Sequence, residues 1–262
     1  MTNKADLCVI VATFNSAKTL AKCLDSIVTQ SVRPELIIID GGSSDGTIEI
    51  IKAYQEHIDY WVSEPDAGVY DAWNKAIAQA NSQWLMFLGS DDRLFELGQL
   101  EVLVRYLMRQ SVDVDLVYGK IIRDYGERQI EGNENGKLER DYIASCTHMP
   151  FTHVGSIHRA TSFKVFGPFN KRYRIAGDFE FFCRIRAGKM ISYCADHKVL
   201  MGMDGLSQSL RFRKKLLNEQ IHISMNYRIW KGLTYLIAKY TYYSFIDSIS
   251  RVARIFPLVN RS

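Results

Sequence analysis

Several features are missing from this sequence, and each absence narrows the reading. No stretch reaches the ~20 apolar residues that a membrane-spanning helix needs. The N-terminal Met1–Asp6 is polar and the apolar run behind it, Leu7–Ala12, is too short for a secretory leader, so no signal peptide is expected. Five cysteines (Cys8, Cys23, Cys146, Cys183 and Cys194) are odd in number and without metal-type spacing. They predict reduced core thiols in a cytoplasmic protein rather than a disulfide framework. There is no internal repeat and no low-complexity segment. No glycine-rich, lysine-containing phosphate loop follows the first apolar run, which counts against a nucleotidyltransferase.

What is present is ordinary in bulk and uneven in detail. The 262 residues are 47% hydrophobic and 24% charged, enough for one large domain or a domain plus an appendage. The net charge of +4 conceals an asymmetry. Residues 211–262 carry ten Lys/Arg against Glu219 and Asp247, a balance of +8, which leaves −4 for the preceding chain. A mildly acidic body with a basic tail implies that the tail meets something anionic.

The first half alternates strand and helix signals. Apolar runs at Leu7–Ala12, Leu36–Asp40, Tyr60–Ser63 and Trp84–Leu88 are separated by helical stretches at Ala17–Gln30, Gly46–Gln55 and Val69–Ala80. In the first of these, Leu20, Leu24, Ile27 and Val28 recur at helical spacing. Strands that are apolar throughout, each followed by a helix, predict an α/β fold with a mostly parallel sheet covered on both faces. Ligands in such sheets bind beyond the carboxyl ends of the strands. The polar residues there are Thr13 and Asn15, Asp40, Glu64 and Asp66, and Asp91 and Asp92. Adjacent carboxylates repel, so Asp91-Asp92 at a strand end calls for a cation, and a hard divalent ion sharing substrate phosphates is the expected one. Further on, a helix near Leu97–Gln110, a strand at Val114–Tyr118, a hairpin or loop over Arg123–Lys137 and a helix from about Asp178 to Ala187 are predicted.

Five stretches, "VIVATFNSAKTLAKCLDSIVTQS", "ELIIIDGGSSDGT", "SEPDAGVYDAWNKAI", "WLMFLGSDD" and "AGDFEFFCRI", resemble in order those of the family 2 glycosyltransferases. The resemblance covers residues 6–210 and implies an inverting enzyme with the GT-A nucleotide-sugar-binding fold. The "EPDAGVYDAWNKA" form is similar to bacterial enzymes that build surface polysaccharide on a polyprenyl-diphosphate carrier. The resemblance implies that Thr13, Asn15, Asp40, Glu64, Asp66, Lys75 and Asp91 contact the nucleotide-sugar. It makes Asp92, with Asp91, the ligand set for Mn²⁺ or Mg²⁺, although Ser90 stands where the family's motif has its first carboxylate. It makes Asp178 the general base and Glu180 its reserve, with Gly177 in place of an acidic residue often found before the base. His153 falls where relatives contact acceptor or donor sugar, and Arg159 is expected to meet a diphosphate, both on the acceptor side. Asp45 is read as a helix cap, and His197 and Asp204 are assigned no role.

Residues 211–262 lie beyond the resemblance. Basic residues Arg211, Arg213, Lys214 and Lys215 precede an aromatic-rich stretch from Tyr227 to Phe245, and Lys239 and Asp247 interrupt the hydrophobic stripe on a helical wheel. This suits the interface of an anionic membrane; helices packed on the catalytic domain, or a homodimer contact, suit it equally. Nucleic-acid binding does not fit the rest of the chain. The expectation is a GT-A domain over 1–210 with a helical extension over 211–262, working in the cytoplasm at the membrane's inner face. It would move a hexose from a UDP-sugar to a lipid-diphosphate-linked saccharide. The rival is a nucleotide-sugar-binding or scaffold protein that has lost catalysis.

Overall fold

The computed structural model describes residues 6–132, 148–186, 190–203 and 210–255, without side chains at 210, 211 and 247–255. Cys146 and Asp204, and the side chains of Arg211 and Asp247, lie outside the described residues. The remaining four cysteines are free and buried.

The fully apolar segments become the strands expected of them. β1 (Leu7–Thr13), β2 (Glu35–Asp40), β3 (Tyr60–Ser63) and β4 (Trp84–Gly89) are separated by α1 (Leu20–Val28), α2 (Thr47–Ala53, followed by a 3₁₀ turn at Gln55–His57) and α3 (Val69–Gln79). The chain continues through β5 (Arg93–Leu94), α4 (Gln99–Leu107), β6 (Val114–Asp124), β7 (Gln129–Glu131), β8 (Ile157–Arg159), α5 (Ala160–Phe166) and α6 (Gly177–Ile185). It then forms β9 (Met190–Gly202), α7 (Leu210–Asn226) and α8 (Leu233–Ile255). The predicted Arg123–Lys137 segment is, in its described part, a hairpin in which Asp124 faces Gln129.

The strands form one sheet in the order β3-β2-β1-β4-β8-β6-β9-β5, with β7 on β6. β1 to β4 are parallel neighbours, whereas β8 runs antiparallel to both β4 and β6. Register sets Thr13 opposite Asp40, Asp40 opposite Ser63 and Ala12 opposite Gly89, so the predicted polar strand ends share one edge.

Alternation divides the core. Ile10, Ile37, Leu85 and Phe87 face α3 and α6, contributing Tyr70, Trp73, Phe179 and Phe182. Leu7, Val9, Ile38 and Met86 face α1 and α4, contributing Leu24, Ile27, Leu100 and Leu103. Ile223 and Ile229 belong to the first cluster, so a boundary at residue 210 cuts between elements that share one core.

β6 and β9 are long strands whose pairing shifts register between Tyr118 and Lys120. Gly119 sits at that shift, where a Cβ would stand 2.3 Å from the His197 carbonyl oxygen. The contact is with backbone, which cannot swing away, so Gly119→Ala is expected to destabilise the fold by about 1–3 kcal/mol. Urea denaturation checks this; an unchanged midpoint would mean that β9 shifts freely.

Candidate active site

The first two strand-end loops are stitched to each other. Asn15 adopts a left-handed backbone (φ 50°), a conformation open to asparagine at little cost. Its N–H donates to Ser43 Oγ at 2.7 Å and its Oδ1 accepts from the Ser44 N–H at 3.0 Å. Asp45 accepts from the Ala17 N–H at 3.0 Å and from Thr47 Oγ1 at 2.6 Å, which fits the capping reading. Asp40 is fully buried; it accepts from the Ser43 N–H at 2.8 Å, from Ser63 Oγ at 2.6 Å and from Ser43 Oγ. Its carboxylate therefore shapes the loop from within. The buried Thr13 hydroxyl has no partner among the described residues.

Phe14, passed over in the sequence, leaves its ring 61% exposed at this edge. The signal was available, since a large aromatic between two polar strand-end residues has no core to enter. Asp66 reaches the same place: its Oδ1 accepts from the Gly68 N–H at 2.7 Å, and a Cβ on Gly41 would meet its Oδ2 at 2.8 Å. Glu64 and Lys75 pair at 2.7 Å on the rim, and that bond raises the lysine's pKa.

The acidic pair sits in the turn after β4. Asp92 is buried, accepting from the Gly89 N–H at 2.7 Å and the Gly202 N–H at 3.2 Å. Burial, with the neighbouring Asp91 charge adding to it, pushes the Asp92 carboxyl up to about 8. Glycines make the space around it: a Cβ on Gly89 would stand 2.9 Å from both Asp91 Oδ1 and Asp92 Oδ2, and one on Gly202 2.8 Å from Asp91 Oδ2. Ser90 instead turns to Ser16, Oγ to Oγ at 2.6 Å, tying this turn to the β1 loop. Two oxygen-donor side chains, one of them desolvated and held by only two amides, suit a hard divalent cation. Among the described residues no group of three His, Cys, Asp or Glu side chains converges.

Asp178 begins α6. It is half-buried, its Oδ1 receiving the Phe179 N–H at 2.8 Å and lying 3.1 Å from the Tyr70 hydroxyl. That hydroxyl is also 2.7 Å from the Ile175 carbonyl oxygen. It has one proton to give, and the shorter contact competes for it. Burial outweighs these bonds and pushes Asp178 up to about 6. Gly177 is needed beside it, because a Cβ there would stand 2.8 Å from the Tyr70 ring.

Other expected site residues lie elsewhere. Glu180 is committed to structure: Arg184 contacts one oxygen at 2.9 Å and Tyr227 the other at 2.6 Å. His153 is buried below the edge with its ring 5.0 Å from that of Trp73, its Nε2 3.0 Å from His158 Nε2. Burial drives His153 down to about 3, so it is neutral. Arg159 is far from the strand-end group, because β8 is antiparallel and sets it opposite Trp84, the first residue of β4. There its guanidinium donates to the Val114 and Ser111 carbonyls, both at 2.9 Å, and covers Trp84. His197 uses both ring nitrogens, toward Gly155 O at 2.7 Å and Gln99 Nε2 at 3.0 Å, and has none left for a metal.

Comparisons with known proteins bear on this arrangement. Residues 8–182 match the model of "Glycosyl transferase family 2". A PGL/p-HBAD biosynthesis glycosyltransferase of Mycobacterium tuberculosis is 33% identical over 177 residues, 66% of this chain and 66% of that protein, just under two thirds of its length. An uncharacterized glycosyltransferase of the same species is 30% identical over 186 residues, 70% of each. Among solved structures, S. aureus TarS 1–349 in complex with UDP-GlcNAc superposes with a TM-score of 0.66 at 18% identity, covering 97% of this chain and 76% of that one. A mannosyltransferase from Pyrobaculum calidifontis in complex with GDP-Man and Mn²⁺ gives 0.65 at 19% identity, covering 91% and 70%. The fold is GT-A, and the chain belongs to glycosyltransferase family 2.

Proposed function

We propose that this protein transfers a hexose, with inversion, from a UDP-sugar to a saccharide carried on a polyprenyl diphosphate, in the assembly of a bacterial surface polysaccharide. The observation that carries the reading is Asp178: a half-buried carboxyl raised to about 6, held at a helix start by a tyrosine from α3. A base poised near working pH is what abstraction of a sugar hydroxyl proton requires. The family assignment supports glycosyl transfer, and the UDP-GlcNAc and GDP-Man complexes of the two structural neighbours support the donor class.

The residues divide the work. The exposed Phe14 ring offers a stacking face to the base, and Asp66 Oδ2, which flanks Gly41 together with that ring, offers a polar contact. Asp91 and Asp92 would hold Mn²⁺ or Mg²⁺, which when bound neutralises charge on the leaving diphosphate. Asp178 accepts the proton of the acceptor hydroxyl as its oxygen bonds to the anomeric carbon. The bond from that carbon to the nucleoside diphosphate breaks on the opposite face, which inverts the centre.

The lipid-linked acceptor implies work at a membrane. No helix among the described residues is long and apolar enough to cross one. The reading of peripheral contact at an anionic inner face rests on the basic start of α7 and on Trp230, Tyr235, Tyr242 and Phe245, which are exposed.

Transfer is tested by UDP release from a panel of UDP-sugars, with GDP-sugars as the control, using a GlcNAc-diphosphate-lipid acceptor. Release that is independent of acceptor, or none at all, would favour a binding protein without catalysis. Asp178→Asn keeps the shape and removes the proton acceptor, so kcat should fall ~10²–10⁴-fold with little change in donor affinity. Asp178 works as the carboxylate and its pKa is raised, so activity is retained above about pH 6 and lost below it. At saturating metal, kcat should drop about tenfold per pH unit on that limb, one proton being involved. A wild-type profile that stays flat to about pH 5 would mean another base.

Asp92→Ala should abolish transfer and metal-dependent donor binding while leaving the fold intact, and Asp91→Ala should be severely impaired. Full activity in EDTA would remove the metal from the reading. Replacing Arg211, Arg213, Lys214 and Lys215 by Gln removes up to ~1 kcal/mol of membrane attraction each. At least a tenfold loss of binding to anionic vesicles is expected, with salt weakening the wild type. Equal, salt-insensitive co-sedimentation of both proteins would rule out the electrostatic contact.

A further inference from the structure

Glu219 is a buried acid on the basic, aromatic segment that lies past the matched family residues. Its carboxylate receives three successive backbone N–H groups: Arg174 at 3.0 Å on one oxygen, Ile175 and Ala176 at 2.9 Å each on the other. These are the residues immediately before α6, and Ala176 is the cap position of that helix. The Ile175 peptide is held from both sides, its N–H by Glu219 and its carbonyl by the Tyr70 hydroxyl that also meets Asp178. Two more bonds fasten α7 and its end to the same region: the Tyr173 hydroxyl to His222 Nδ1 at 2.9 Å, and Tyr227 to Glu180 at 2.6 Å.

Charge-assisted bonds from a buried carboxylate to backbone amides are among the strong ones. Three on consecutive residues fix the direction from which the chain enters α6. Asp178 lies two residues after the last of them, so its position depends on that grip. We infer that Glu219 is a positioning residue for Asp178, setting the carboxylate's place for attack by the acceptor hydroxyl. The inference rests on Asp178 being the base, as proposed above.

A merely structural strut and a positioning residue differ in what they leave in the kinetics. The titratable groups that meet Asp178 from packed elements are Tyr70 on α3 and Glu219 on α7, while Glu180 on its own helix is paired with Arg184. The Glu219 charge raises the Asp178 pKa, as the smallest of several contributions after burial. Removing it acts to lower that pKa and so to move the acid limb of the kcat profile toward lower pH, a small shift beside the effect of burial.

The experiment compares Glu219→Gln, Glu219→Asp and Asp178→Asn with wild type, all checked for folding by circular dichroism and thermal melting. Displacing a reacting group by about 1 Å can cost ~10²-fold. Glu219→Gln is therefore expected to lose ~10–100-fold in kcat, with donor KM within about twofold and the acid limb at lower pH. Glu219→Asp keeps the charge on a shorter arm, so it should lose kcat while holding the wild-type limb. It also serves as the readable variant if the glutamine form does not fold. Asp178→Asn retaining wild-type kcat would place the base elsewhere and remove the premise. If Asp178→Asn is inactive but the folded Glu219 variants keep wild-type kcat and pH limb, Glu219 only stabilises, and the positioning role alone is overturned.

Discussion

A carboxylate buried beside another carboxylate is the constraint around which this molecule is arranged. Asp92 is 3% exposed and has Asp91 next to it, so its ionised form is disfavoured. The Gly89 and Gly202 amides that donate to it favour the charge but offset only part of that cost. The turn is kept open by Gly89 and Gly202, whose missing side chains leave the carboxylates room to face a ligand. β9 has to return along β6 for Gly202 to arrive there, and β1 has to align with β4 for Ser16 to reach Ser90. The register of the sheet thus brings together the residues that surround this pair.

The carboxylate proposed as the base sits in a more open setting. Asp178 is only half-buried and its bonds are contested, since the Tyr70 proton is shared with a carbonyl. Asp40, by contrast, is taken up by serine and amide donors of its own loop and of β3. Asp40 and Asp178 therefore illustrate how the same side chain is made into a scaffold in one place and left accessible, as the proposed base, in another.

The sequence was most legible where structure is local. Uniformly apolar runs gave β1 to β4, and strand-end logic gathered Thr13, Asn15, Asp40, Asp66, Asp91 and Asp92 on one edge. Arg159, expected to meet a diphosphate, falls at the far edge instead, because β8 is antiparallel and sets its last residue opposite the first of β4. β9 was unreadable: register breaks against β6 interrupt any alternation over Met190–Gly202. Glu180 was plausible by spacing alone, and only the fold shows both its oxygens taken by Arg184 and Tyr227. Glu219 carries no local signal at all. It is a single acid in a basic segment, and its partners are more than forty residues away.

That distance has a consequence for how the molecule can be divided. The family-model match ends at residue 182, inside the helix that bears Asp178, so the recognisable part of the chain looks like a portable module. Its last helix, however, is gripped from α7, and Ile223 and Ile229 complete its core. A chimera joined between residues 186 and 210 would inherit the donor loops intact and a reaction centre tuned to someone else's C-terminal helix. In this chain an exchange at that seam would therefore have to carry both sides of it, α6 with the α7 residues that hold it.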